Sequence, residues 1–595
     1  MKAVKYKSLG DIWELSCAQY ADNIAFCDKD LKIQLTYKEA YNLLNYFANV
    51  FKKLNIEEKN NVSLFAINSP YWLIIEQALI ANKAVCVSKT SQTTISELDF
   101  VYHNSDSCAL ITDSLEIIDY FIKKNENFTK NNKFILYIGN EKTDNTSILT
   151  LDEVLKKYDT NQIYPKIEDN PNSISYINYT SGTSSNPKGA MLQNNGMSYV
   201  VEELQKYCEI KKDSTFVVTF PLSSAGGKSF NLLCFSKGCK LVYTQYCDFW
   251  KTIEKLKPQY LHCAPKILQT MFQKISSYID SKGFIFKTIF NISFKISQKI
   301  IKLNSYKIEK LSNMIFDRLI YKKVRNYLFN DDLILFVGSA HLAPALEDFF
   351  RIINVPLIQH YGLTETTGLA VSNTIESQKK YPYTVGRAFN GTKIEIINPE
   401  TFELLPNGEV GLITLTGPEI LHGYYKNEEA TKKGLIKKNC LNTGDLGYVN
   451  KEGYLTVLSR YDDVIVMSNG YNIYAPLLEN EAKDSQYINQ IIIVGHGKPY
   501  LSALIVLNKE EAKKLTNNKD DFNQNEEFKN FLIEHLNEKI KRKKDFKYCE
   551  KLKKVYFIDS DFTVENGLLT NTLKVKRNKI TKIYEKELEV LYKGN

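Results

Sequence analysis

Between residues 30 and 160 the chain alternates short strand-forming runs with helix-forming stretches. Val62–Ile67, Ala84–Ser88, Ala109–Thr112 and Lys133–Ile138 are rich in β-formers, and Tyr37–Leu54 carries a helical pattern. Such alternation predicts an α/β architecture with parallel sheets. Residues 391–417 differ: Lys393–Ile397 and Gly411–Thr416 read as strands separated by Pro, Asn and Gly turns, a small β-rich subdomain. After about residue 460 an α+β pattern begins, with strands Gln490–Val494 and Leu501–Leu507 and a helical stretch at 524–544. The expected layout is a large domain over 1–459, with the β-rich part at about 385–459, and a smaller α+β domain over 460–595.

A chain of 595 residues that is 44% hydrophobic can fill such cores, which excludes a disordered or disulfide-stapled class. The 77 Lys+Arg exceed the 68 Asp+Glu by only +9, small for this length, and no nucleic-acid partner is expected. Eleven scattered cysteines without a C-x-x-C pair read as reduced, mostly buried thiols, and the adjacent His262 and Cys263 as core packing. No long apolar segment follows the N-terminus, so no signal peptide is expected. The most apolar window, Val62 to Ser88, is broken by Asn68, Pro70, Glu76 and Lys83, so no membrane span is expected. The expected location is cytoplasmic.

Residues 179–189 read YTSGTSSNPKG and follow the apolar stretch Ile174–Asn178. Thr180, Ser181, Thr183, Ser184 and Ser185 crowd five hydroxyls around Gly182, and Lys188 adds a cation. Backbone N–H groups and hydroxyls arranged this way can cradle an anion; composition alone also allows a plain surface turn. The G-x-x-x-x-G-K-[ST] phosphate loop is excluded, because Pro187 stands where it needs Gly.

This segment resembles the signature of the adenylate-forming superfamily: acyl-CoA synthetases, luciferases and peptide-synthetase adenylation domains. Further matches follow in order: YGLTETTG at 361–368, TGD at 443–445, SRYDD at 459–463 and LTNTLKVKR at 569–577. The flanks, such as GHGKPYLSALIVLN at 495–508 and FDRLIYKKVRNYLF at 316–329, look most like long-chain acyl-CoA synthetases. The resemblance covers roughly residues 10–592.

The resemblance implies that ATP and Mg²⁺ activate a long-chain fatty acid, with CoA as the acceptor. Residues 180–185 and Lys188 would hold the β- and γ-phosphates, and Glu365 the metal. Thr364 would bond the α-phosphate. Tyr361, next to Gly362, would stack on adenine, and Gly338, Ser339 and Ala340 would line its pocket with backbone. Asp445 would clamp the ribose hydroxyls, and Arg460 would contact ribose or phosphate. Lys574 is the expected catalytic lysine, with Lys576 and Arg577 as nearby competitors. The C-terminal domain would be mobile, turning about Asp462 between adenylation and thiol transfer.

The chain departs from the family pattern at several points. Ser185 replaces a Gly of the phosphate loop, Ser224 a His after Pro-Leu, Asn442 a His before Thr-Gly-Asp, Ser459 a Gly and Asn571 a Pro; Pro476 sits one place late. Two other readings therefore stand beside the CoA ligase: a fatty acyl-AMP ligase serving a carrier protein, and a non-catalytic acyl- or nucleotide-binding homologue. Residues 282–310 are the least family-like, with seven Lys against one Glu interleaved with Phe and Ile. They read as a helix with one packed and one solvated face, or as an interfacial segment in peripheral contact with the inner face of a membrane.

Overall fold

A computed structural model describes residues 4–180, 187–302, 312, 314–437, 439–516, 521–543, 546–563, 566–569 and 575–592. Two large sheets organise the chain from Ile24 to Ala388, and the second also takes in Gly423–Tyr424. One runs, edge to edge, through Arg387–Ala388, Val371–Ser372, Leu357–Tyr361, Ile334–Val337, Tyr260–Cys263, Thr215–Val218, Lys240–Tyr243, Ile24–Asp28 and Gln34–Thr36. The other runs through Gly423–Tyr424, Lys188–Gln193, Ile174–Thr180, Val85–Lys89, Asn61–Phe65, Ala109–Thr112, Ile135–Tyr137 and Leu149–Thr150. Pairing is parallel in the middle of each sheet and antiparallel at its margins; in the second sheet the far edge, Ile135–Tyr137 with Leu149–Thr150, stays parallel.

The period-two geometry of strands divides their side chains between cores. Phe216, Val218, Leu241 and Phe336 of the first sheet join Val62, Leu64, Ile111 and Leu136 of the second in one shared core. The helices Leu9–Tyr20, Tyr37–Lys53, Trp72–Ala81, Asn194–Tyr207 and Ala225–Ser236 contribute to that core from between the sheets. Val217, Val242, Leu335 and Val337 point the other way, into a core with the helices Pro265–Ser281 and Pro344–Ile352. Leu110 and Ile135 likewise face an outer helical layer. The layers therefore alternate helix, sheet, helix, sheet, helix.

Local signals set the elements. Tyr37–Lys53 opens on a capping box: Thr36 Oγ1 accepts from Glu39 N, and the Glu39 carboxylate accepts from Thr36 N at 2.8 Å. The strand expected at Val62–Ile67 is Asn61–Phe65; it stops short because Ile67 N donates to the Asp113 side chain, 2.9 Å away, instead of to a neighbouring strand. Lys393–Ile397 and Gly411–Thr416 pair antiparallel within a β-rich sheet that also holds Leu435–Lys437, Cys440–Val449 and Leu455–Arg460. In the last stretch Ile488–Val494, Leu501–Leu507 and Leu552–Ile558 form a sheet with helix Glu526–Ile540 on one face and Arg577–Ile583 on the other.

All eleven cysteines are free thiols, and seven are buried. Among the described residues no helix is long and apolar enough to cross a membrane. The window Val62–Ser88 resolves into strand, buried helix and strand, a βαβ unit.

Candidate active site

Ser181–Ser185 and Lys574 lie outside the described residues, but the anchors of the hydroxyl-rich loop do not. Ile174–Thr180 and Lys188–Gln193 pair antiparallel with Thr180 opposite Lys188, so the two strands flanking the loop form one hairpin. Thr180 Oγ1 donates to Lys188 O at 3.4 Å. Gly423–Tyr424 adds to the outer side of this hairpin, with Tyr424 opposite Ala190.

That extra strand brings Tyr424 to Glu365. Tyr424 Oη donates to Glu365 Oε1 at 2.8 Å, and Lys188 Nζ stands 5.9 Å from the Tyr424 ring centre. Burial, with the Glu365 charge next, pushes the Tyr424 phenol above its ordinary range, which keeps it a donor. Sequence reasoning missed Tyr424; its one signal was the GYYK run at 423–426, which has no chemistry until the strand pairs. Among the described residues Glu365 Oε2 has no hydrogen-bond partner, and no group of three metal-ligating side chains occurs. A single carboxylate fits Mg²⁺, which takes one or two carboxylates and completes its shell from phosphates and water.

The loop carrying Glu365 is fixed on both sides. Leu421 N donates to Glu365 O at 2.8 Å, and Thr364 opens the short 3₁₀ turn Thr364–Thr366. Gly368, at φ +100°, packs on the start of helix Ala225–Ser236, where a Cβ would lie 2.6 Å from Gly226 N. Only glycine fits there. Ser224 caps the same helix: its Oγ accepts from Gly227 N at 3.1 Å and donates to Pro221 O at 2.8 Å. The serine in the histidine's place thus has a structural task.

Tyr361, Asp445 and Arg460 form one cluster. Tyr361 Oη donates to Asp445 Oδ2 at 2.6 Å; Arg460 Nη1 donates to Asp445 Oδ1 at 3.0 Å and to Thr443 O at 2.7 Å. The register of Cys440–Val449 with Leu455–Arg460 sets Asp445 directly opposite Arg460. The Asp445 charge holds the half-exposed guanidinium firmly ionised. Asn442 Oδ1 accepts from Gly444 N at 3.0 Å, shaping the turn that presents Asp445.

Gly338, Ser339 and Ala340 follow the strand Ile334–Val337. A Cβ on Gly338 would sit 2.3 Å from His360 Nε2, and Ser339 holds φ +72°, an uncommon conformation for a non-glycine residue. His360 Nε2 lies 3.0 Å from His262 Nε2; Phe220 stacks on His262, Phe230 packs on both imidazoles, and Phe336 stacks on Phe230. Burial pushes both imidazoles down, His360 to about 3, so both are neutral. One ring nitrogen donates to the other, which requires opposite tautomers at the contact. The pair was invisible in sequence because its members are ninety-eight residues apart. Cys263 points to the opposite core, as packing.

Asp462 sits exposed in the 3₁₀ turn Tyr461–Asp463. Arg577 is engaged away from solvent: Nη2 donates to Glu479 Oε1 at 2.6 Å and Nη1 to Ile493 O at 2.7 Å.

The AMP-binding enzyme family matches residues 13–425, and the AMP-binding enzyme C-terminal domain matches residues 462–595. A long-chain-fatty-acid--[acyl-carrier-protein] ligase of Arabidopsis thaliana is 27% identical, over 100% of this chain and 88% of its own length. Long chain acyl-CoA synthetase 3 of the same plant is 25% identical, over 94% and 87%. The crystal structure of an anthranilate CoA ligase with anthranoyl-AMP superposes with a TM-score of 0.75 at 17% identity, covering 99% of this chain and 100% of that one. The shared fold is thus the large α/β body with a smaller C-terminal unit.

Proposed function

The chain belongs to the AMP-binding enzyme family, and we propose that it activates a long-chain fatty acid as the acyl-adenylate, expels pyrophosphate and passes the acyl group to a thiol. The observation that carries this reading is the convergence of Lys188, Tyr424 and Glu365 at the mouth of the hydroxyl-rich hairpin. Two anions must be brought together, and a site built from donors, a cation and one metal-binding carboxylate serves that end.

In this reading Thr180, the 181–185 hydroxyls and Lys188 hold the departing phosphates. Glu365, oriented by Tyr424, would hold Mg²⁺, which when bound screens phosphate charge. Thr364 addresses the α-phosphate. Tyr361 packs adenine against the backbone of Gly338, Ser339 and Ala340. Asp445, braced by Tyr361 and Arg460, receives the ribose hydroxyls by exchanging one of those bonds. Lys574 bridges the carboxylate and the α-phosphate; Arg577, its neighbour in charge, is already committed to Glu479. The unit from 460 onward turns about Asp462 between the two half-reactions.

For the acceptor we propose CoA, on the likeness to long chain acyl-CoA synthetases. The relative named as an acyl-carrier-protein ligase favours a second acceptor, the phosphopantetheine thiol of a carrier protein. Both offer the same thiol, so the first half-reaction is common to them. The deciding experiment follows pyrophosphate release over a fatty-acid panel, then thioester formation with CoA and with carrier protein in parallel. Release dependent on a long-chain acid establishes the adenylation; the thioester formed names the acceptor. No acid-dependent release with any chain length overturns the reading.

A further inference from the structure

Residues Phe284–Lys302 form one helix, about 28 Å long at 1.5 Å per residue, with two unlike faces. Its inner face is settled. Phe290, Ser293 and Ser297 are buried, Ser297 Oγ lies 3.0 Å from Tyr321 Oη, and Phe294 packs on Phe349. A surface helix ordinarily turns polar residues outward. This one turns out Phe284 (83% exposed), Ile285 (75%), Ile292 (55%) and Ile296 (41%).

Lys295 and Lys299 are exposed on the same strip, three or four residues from Ile292 and Ile296. No acidic residue occurs between Asp280 and Glu309. Beside the helix, the segment ending in the buried Ile320 and Tyr321 leaves Met314, Ile315, Arg318 and Leu319 exposed. Among the described residues between Phe284 and Leu319, seven large apolar side chains therefore face water, among cations. An isolated exposed apolar residue is ordinary; a cluster of this kind marks an interaction site.

We infer that this face docks reversibly on an anionic lipid bilayer. Apolar side chains at the level of lysine stems match the boundary between headgroups and acyl chains, where lysine ammonium groups stay with the phosphates. The absence of carboxylates from the helix suits a negative surface and removes the usual means of pairing with a mixed-charge protein partner. The helix is not apolar enough to cross. This inference concerns binding alone and stands apart from the catalytic reading.

The test is co-sedimentation of the full chain with phosphatidylglycerol-containing and pure phosphatidylcholine vesicles. The wild type is expected to partition onto the anionic vesicles, less so at high salt. Lys295→Gln with Lys299→Gln should lower that partition roughly 30-fold, taking about 1 kcal/mol per lysine. Ile285→Ser with Ile292→Ser and Ile296→Ser should lower it at unchanged charge. Lys156→Gln with Lys157→Gln, exposed in the turn after the helix Leu151–Leu155, removes equal charge and should leave it nearly intact. Wild-type behaviour of the Lys295/Lys299 variant, or an equal loss in the Lys156/Lys157 control, overturns the proposal. So does self-association of the chain without lipid that the isoleucine changes abolish, which would make the face a chain–chain interface.

Discussion

Tyr424 Oη donates to Glu365 Oε1 at 2.8 Å, joining two segments fifty-nine residues apart. The bond orients the carboxylate proposed to hold Mg²⁺ without occupying its second oxygen. Groups that orient a metal ligand commonly contribute 10- to 100-fold to metal affinity. Tyr424→Phe is therefore expected to weaken Mn²⁺ binding to the ATP complex about tenfold, read by electron paramagnetic resonance. ATP affinity without metal should change little. Unaltered Mn²⁺ binding would make Tyr424 a packing residue only.

Lys228 and Glu76 form an ion pair in the shared core: Nζ and Oε1 are 2.7 Å apart with side chains 0% and 1% exposed. Nζ also lies 4.0 Å from the centre of the Tyr176 ring and donates to Ser88 Oγ at 3.1 Å. Breaking such a pair strands a buried charge, whereas replacing both partners by apolar residues is often neutral. Lys228→Met should destabilise the fold by about 3–5 kcal/mol. Adding Glu76→Leu should recover most of it. Chemical denaturation of both variants checks this; a double variant as unstable as the single one contradicts it.

The His262–His360 pair predicts acid sensitivity. Both imidazoles stay neutral in the fold because burial lowers their pKa, His360 to about 3, whereas an unfolded histidine takes up a proton near pH 6.5. Below about pH 6.5 the unfolded chain binds more protons, so stability is full above that pH and falls as pH drops toward 3. Each histidine contributes a slope of about 1.4 kcal/mol per pH unit. His262→Phe, placed between Phe220 and Phe230, should remove one proton's worth of that slope. Urea midpoints at pH 7 and pH 5 would show it; an unchanged slope would mean that His262 titrates normally.

Lys574→Ala should lower kcat for adenylation 10²- to 10³-fold while sparing ATP binding and transfer from supplied acyl-AMP. Asp462→Pro fixes φ near −65° and should cripple one half-reaction while sparing the other. Rapid-quench measurement of each half-reaction separates the two effects. Equal loss of both half-reactions in the Asp462→Pro variant, with the fold intact, would remove Asp462 as a pivot.

The amino-acid sequence by itself determined whatever depends on neighbours along the chain. The capping box at Thr36, the strands Lys393–Ile397 and Gly411–Thr416, and the α/β order all follow from short-range spacing. The family signature is legible for the same reason: each motif is a contiguous run whose residues share one turn or strand end. Pairing across the chain was decided only by tertiary structure. Asp445 meets Arg460 because two antiparallel strands share a register, and Tyr424 meets Glu365 because a two-residue strand joins a sheet edge. His262 meets His360 because parallel strands bring them within 3.0 Å. The outward turn of Ile292 and Lys295 was likewise settled by which helix face found a core. A sequence lists what each side chain can do; which of them act together depends on register and burial, and those are properties of the whole fold.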